Sequence, residues 1–151
     1  MHEYTSTVRI WELTCPGLLE EVGRARRWTR DVLAGSPHAD SAALIVSELG
    51  TNALLHSSSG HGAGAFHVNV ARYPGAVVVS VLDSGGAGTA PHVEHPGKDN
   101  PHGRGLALVH ALAQRVHVCG DHRRGHTVTA ELRDPLGAVH PAPGAAGART
   151  C

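Results

Sequence analysis

Apolar residues along this chain recur in two rhythms, one of period two and one near 3.6, and their alternation sets out the elements. Residues 5–11 alternate, with Val8 and Ile10 on one side, and read as a strand. Pro16 suits the start of a helix. From 18 to 33 the apolar positions Leu18, Leu19, Val22, Ala25, Trp28, Val32 and Leu33 fall at helical spacing, and Gly35 and Pro37 end the run. A second helix is predicted over 40–56 with Ala42, Ile45, Leu49 and Ala53 as its core stripe. Residues 57–64 are a loop by composition. Phe66, Val68 and Val70 alternate, Tyr73-Pro74-Gly75 forms a turn, and the run Ala76 to Leu82 reads as a buried strand, so the two strands make a hairpin. Residues 84–102 hold almost no large apolar side chain and predict a long mobile loop, a feature that in a compact domain is usually functional. A helix over 103–114 follows, then short strands at 116–119 and 126–132 joined by a turn at 121–125.

The predicted order is β-α-α-β-β-loop-α-β-β. Hairpins dominate, which implies an α+β, two-layer sandwich: a mixed, mostly antiparallel sheet with the helices on one face. From Asp134 onward the chain is rich in Pro, Gly and Ala. The expected organisation is therefore one domain over 1–133 and a disordered tail over 134–151.

Composition narrows the function classes. Lys plus Arg and Asp plus Glu are 13 each in 151 residues, so charge gives no case for nucleic acid or an anionic membrane as a direct partner. Cys15, Cys119 and Cys151 lie far apart without a CxxC spacing, which suggests neither a disulfide framework nor a zinc ribbon. No apolar run approaches membrane-spanning length, and the expectation is a soluble, cytoplasmic protein.

Three local patterns carry candidate chemistry. Glu48, Asn52 and His56 are spaced i, i+4, i+8 and stack along one side of the second helix, beside its apolar stripe. Oxygen ligands so placed suit Mg²⁺, and a carboxylate there suits a general base; a solvated polar edge of an amphipathic helix gives the same spacing. The strand 76–82 runs into Asp83-Ser84-Gly85-Gly86-Ala87-Gly88. There Asp83 can accept from an amine while glycine backbone approaches a flat ligand, though Asp-Ser-Gly is also common turn chemistry. Gly103-Arg104-Gly105 opens an apolar helix, where unpaired N–H groups can take a phosphate or simply begin a helix. The only lysine, Lys98, is followed by Asp99, which excludes a Walker A loop, and GRGLAL misses the dinucleotide fingerprint.

Taken in order, ExxxN on a helix, DxG at a strand end, a loose loop, GxGLxL on a helix and Gly125-His126-Thr127 before a last strand resemble the N, G1, G2 and G3 boxes of the GHKL (Bergerat-fold) ATP-binding superfamily, which includes DNA gyrase and histidine kinases. The resemblance covers roughly residues 5–133. SELGTNALLHS (47–57) and HGRGLALVHALA (102–113) are most similar to the short anti-sigma-factor serine/threonine kinases.

The resemblance implies ATP and Mg²⁺ as cofactors. It assigns Asn52 to the metal and Glu48 to orienting or deprotonating the attacking group, a partner's Ser or Thr hydroxyl in a kinase or water in an ATPase. Asp83 would take the adenine amino group, with Gly85 beneath the ring. Gly103, Arg104, Gly105 and Leu106 would cradle phosphate, and Thr127 would sit near the adenine close to Asp83. Residues 84–102 would be the nucleotide lid.

Implied partners are a sigma factor and its anti-anti-sigma antagonist, with Arg24, Arg27 and Arg30 on the first helix as a candidate contact surface. A homodimer is in keeping with the same group. The chain departs from the family pattern in three places: the second glycine of DxGxG falls at Gly88 rather than 87, His126 stands where close relatives often carry Lys, and the lid holds His92, His95 and His102. We expect His126 to face solvent. The alternative to a kinase is an ATP-binding regulatory module of the same fold without efficient phosphoryl transfer.

Overall fold

A computed structural model describes residues 7–56, 64–84, 101–121 and 125–135, with backbone alone for 56, 101–105 and 121. The elements are β1 (Arg9–Pro16), α1 (Leu19–Val32), α2 (Ala39–His56), β2 (Ala65–Tyr73), β3 (Ala76–Leu82), α3 (Pro101–Leu112), β4 (Arg115–Asp121) and β5 (Gly125–Arg133). Five strands form one antiparallel sheet in the order β1-β2-β3-β5-β4. The α+β class and the predicted order of elements hold.

One sheet face carries the core. Trp11, Leu13 and Cys15 on β1, Phe66, Val68 and Val70 on β2, Val77, Val79 and Val81 on β3 and Val128, Ala130 and Leu132 on β5 alternate onto it and pack in one cluster with the helices. The helix layer runs α1, α2, α3, with α2 in the middle over β3. β1 extends to Pro16, further than the sequence predicts, and its core face is Trp11, Leu13 and Cys15, of the opposite parity to Val8 and Ile10, which are exposed. Leu18 and Leu19, expected in the first helix's stripe, are exposed; Val22, Ala25 and Thr29 are the residues it buries.

α2 has a fixed direction relative to the sheet. At its start, His38 Nε2 bonds the Asp134 carboxylate, and the Asp134 N–H donates to Gly75 O (2.9 Å), so this end lies beside the β2–β3 turn. In that turn Pro74 precedes Gly75 at φ 79°, the pairing a type II turn requires. Asp134 is thus held in the ordered domain, one residue past the boundary expected from sequence; residues 136–151 lie outside those described.

Cys15 is free and buried, and burial pushes its thiol above the usual range, with Arg24 opposing. Among the described residues no helix is long and apolar enough to cross a membrane.

Candidate functional site

Asn52 and Asp83 lie toward the sheet end away from the Pro74-Gly75 turn. α2 is 18 residues long, so Asn52 lies about 20 Å along its axis from Ala39, at about 1.5 Å per residue. Asp83 lies about 23 Å along β3 from Ala76, at about 3.3 Å per residue. Both elements start from the same end, so Asn52 and Asp83 reach the same level.

A second anchor agrees. A Cβ on Gly50 would sit 3.4 Å from the Phe66 ring, and Phe66, one step past the His67↔Leu82 pair, stands level with Asp83. The α2 segment holding Glu48 and Asn52 therefore crosses the sheet at the height of Asp83. Gly50 lets that segment approach Phe66 closely.

Asp83 belongs to the helix side of the sheet. It follows Val77, Val79 and Val81 at period two and is 4% exposed. Its backbone N–H donates to His126 O (2.9 Å), and its Oδ1 accepts the His126 backbone N–H (3.0 Å). Ser84 fixes the strand end: its hydroxyl donates to Ala65 O (2.6 Å) and accepts from Ala65 N–H (3.1 Å), tying β3 to the first residue of β2.

Asn52 differs from the other polar residues of the helices. Thr29 and Thr51 donate their hydroxyls to the carbonyls of Ala25 (2.8 Å) and Ser47 (2.9 Å), four residues back. Asn52 is 4% exposed, and among the described residues its amide makes no hydrogen bond. Among the described residues the sealed side-chain atoms without a partner are His126 Nδ1 and Glu131 Oε2, so the Asn52 amide keeps access to solvent and is open to a ligand. Glu48, one turn earlier and half-buried, likewise has no ion pair or hydrogen bond among the described residues.

The described residues hold no group of three or more His, Cys, Asp or Glu able to bind a metal by themselves. That donor set fits Mg²⁺ held through one protein oxygen and the phosphates of a nucleotide, since this ion keeps several waters and takes few protein ligands.

The β3–β5 register corrects two expectations. Leu82 pairs Thr127, so the next opposed pair is Asp83 with His126. Directly opposed residues of antiparallel strands share a face. His126 therefore lies beside Asp83 on the helix side, 6% exposed, with Nδ1 4.0 Å from Asp83 Oδ2, and does not face solvent. Thr127 points to the other face, with Ser80 and Thr129, whose hydroxyls bond at 2.9 Å, so its side chain does not accompany the Asp83 carboxylate. The alternation His126, Val128, Ala130, Leu132 was the signal in the sequence for this placement.

α3 begins at Pro101, two residues before the predicted start, with proline at a first helical position where no N–H is needed. Gly103 falls in the first turn, whose N–H groups lack partners within the helix; Gly105 and Leu106 fall in the second, where the helix ladder uses them. Leu106 is 2% exposed and packs into the core. The described residues give the Arg104 backbone but not its side chain, and Gly85, Gly88, His92 and His95 lie outside them, as does nearly all of the expected lid. On α1, Arg24 and Arg30 are exposed and paired, with Glu21 (2.7 Å) and Asp40 (3.2 Å).

The model of one protein family, the histidine kinase-like ATPase domain, matches residues 15–132. A search of the curated proteins finds no match. Among solved structures, 15 chains match. One is the histidine kinase domain from the Erythrobacter litoralis EL346 blue-light activated histidine kinase, with TM-score 0.50 and 22% identity over 79% of this chain and 61% of that one. This chain thus spans less than two thirds of that relative, and the likeness is one of fold.

Proposed function

The chain belongs to the family of histidine kinase-like ATPase domains, and from that membership we propose that it binds Mg-ATP and transfers phosphate to a serine or threonine of a partner protein. The observation that carries the proposal is the shared level of three groups: the buried Asp83 carboxylate at the end of β3, and on α2 the Asn52 amide and the Glu48 carboxylate, neither bonded among the described residues. In this reading Asp83 accepts from the adenine amino group through oxygen capacity beyond its bond to the His126 N–H. Asn52 offers its carbonyl oxygen to the metal. Glu48 takes the proton of the attacking hydroxyl. Gly103, in the first turn of α3, supplies backbone N–H toward phosphate, with Arg104 beside it. Bound Mg²⁺ would neutralise charge developing on the transferred phosphoryl group.

The finer assignment rests on the similarity of 47–57 and 102–113 to anti-sigma-factor kinases. It makes the catalytic unit residues 1–133 and the partners a sigma factor and its anti-anti-sigma antagonist, in the cytoplasm. The second reading, an ATP-dependent binding module without efficient transfer, is favoured by one observation: the imidazole of His126 stands beside the Asp83 carboxylate, Nδ1 4.0 Å from Oδ2, where close relatives often carry Lys.

The test is transfer from labelled ATP to the antagonist by wild type and Glu48→Gln, with ATP affinity measured on both. The kinase reading expects transfer to fall by about 10²–10⁴-fold with affinity nearly unchanged. Nucleotide binding without transfer by wild type would leave the binding-module reading standing and remove the kinase.

A further inference from the structure

The end of the sheet opposite Asp83 contains a cavity of about 460 Å³, within the size range of small-molecule sites. It lies between the β2–β3 turn, the start of β1 and the Ser36-Pro37-His38 connection of α1 to α2. Two arginines line it, Arg9 and Arg72. They are directly opposed in the β1–β2 register, and both fall on the helix side, Arg9 in series with Trp11 and Leu13 and Arg72 in series with Val68 and Val70. Like charges opposed across antiparallel strands repel.

The usual relief is absent here. Arg24, Arg30 and Arg133 each pair with a carboxylate, whereas among the described residues Arg9 and Arg72 have none. The one acid lining the cavity, Asp134, is engaged by His38. The lining also includes Pro37, Ala76, Val77 and Tyr73, which add apolar surface beside the exposed Arg9 and the half-buried Arg72.

We propose that this cavity is a second ligand site, separate from the nucleotide site, that takes a small organic phosphate monoester between the guanidiniums of Arg9 and Arg72. Two adjacent positive charges match a phosphate dianion, and two planar forks offer more donors than a single carboxylate can accept. The organic part of the ligand rests on the apolar wall. This inference does not depend on the kinase reading, because neither arginine nor the cavity belongs to the Asp83 end.

Phenyl phosphate is the probe, with benzoate as its carboxylate counterpart. Both are titrated into full-length protein already saturated with Mg-ATP, at matched ionic strength, with heat of binding and thermal midpoint as readouts. Wild type is expected to bind phenyl phosphate more tightly than benzoate and to gain thermal stability from it. Arg9→Gln and Arg72→Gln are each expected to lose affinity by about tenfold, the effect of one charge-assisted pair. Each variant without ligand should melt no lower than wild type, since the repulsion is relieved, and ATP affinity should be unchanged. Absence of phenyl phosphate binding to wild type, equal binding of benzoate, or binding that survives in the Arg9→Gln/Arg72→Gln double variant would each overturn the proposal. Failure of ATP binding alone would count against the nucleotide reading and leave this site intact.

Discussion

In the proposed site, Asp83 and His126 form the pair on which recognition of the nucleotide would turn. The Asp83 N–H donates to His126 O and the His126 N–H donates to the Asp83 carboxylate, so that carboxylate is positioned by main chain of β5 and not by the neighbouring imidazole. Asp83→Asn keeps the acceptor for the His126 N–H but replaces one carboxylate oxygen by a donor, which cannot accept from an amine. ATP affinity should fall about tenfold or more while the melting curve stays close to wild type. Thr127→Ala should change affinity little, because that hydroxyl lies on the opposite face. Asn52→Leu is a separate test: an amide buried for a ligand should be replaceable at little or no cost to the free protein, and Mg²⁺-dependent affinity should be lost. A calorimetric titration with and without Mg²⁺, beside a melt, reads both. Cys15, fully buried with its thiol raised by burial, should react with iodoacetamide much more slowly in the native protein than after unfolding.

The elements explain which parts of this arrangement were legible. α2 was readable because one helix carries two stripes, Ala42, Ile45, Leu49 and Ala53 for the core and Glu48 and Asn52 beside them. β3 was readable because its apolar run stops at Asp83. The face of β5 was not read correctly, although counting back by twos from Leu132 through Ala130 and Val128 reaches His126 rather than Thr127. A strand's parity decides faces, and a short motif scanned for residue types does not report parity. The opposed arginines at Arg9 and Arg72 were out of reach, since they meet only through the β1–β2 register.

Two packing predictions belong at this scale. Phe66→Ala removes a fully buried ring beneath Gly50 and should cost about 3–5 kcal/mol by chemical denaturation. Gly120→Ala places a Cβ 2.1 Å from Gly125 O at φ +119°, so the β4–β5 hairpin must distort, and a loss of at least about 1–3 kcal/mol is expected in the same assay.

At the scale of the whole molecule, the described residues form one antiparallel sheet under three helices, with the proposed nucleotide site at one end and the proposed arginine site at the other. α2 links them: its first turn stands beside the His38–Asp134 contact and its later turns carry Glu48 and Asn52 to the level of Asp83. Family membership accounts for the Asp83 end and says nothing of the arginine-lined end. The central claim is that a magnesium-bound nucleotide lies between α2 and the end of β3, and it is tested most directly by titrating ATP with Mg²⁺ into the protein with isotope-labelled backbone amides observed by NMR. The account predicts saturable shifts concentrated at Glu48 to Ala53, Asp83, Ser84 and His126, with the same titration of Asp83→Asn requiring about tenfold more nucleotide. Shifts clustered elsewhere, or an identical titration curve for the variant, would contradict it.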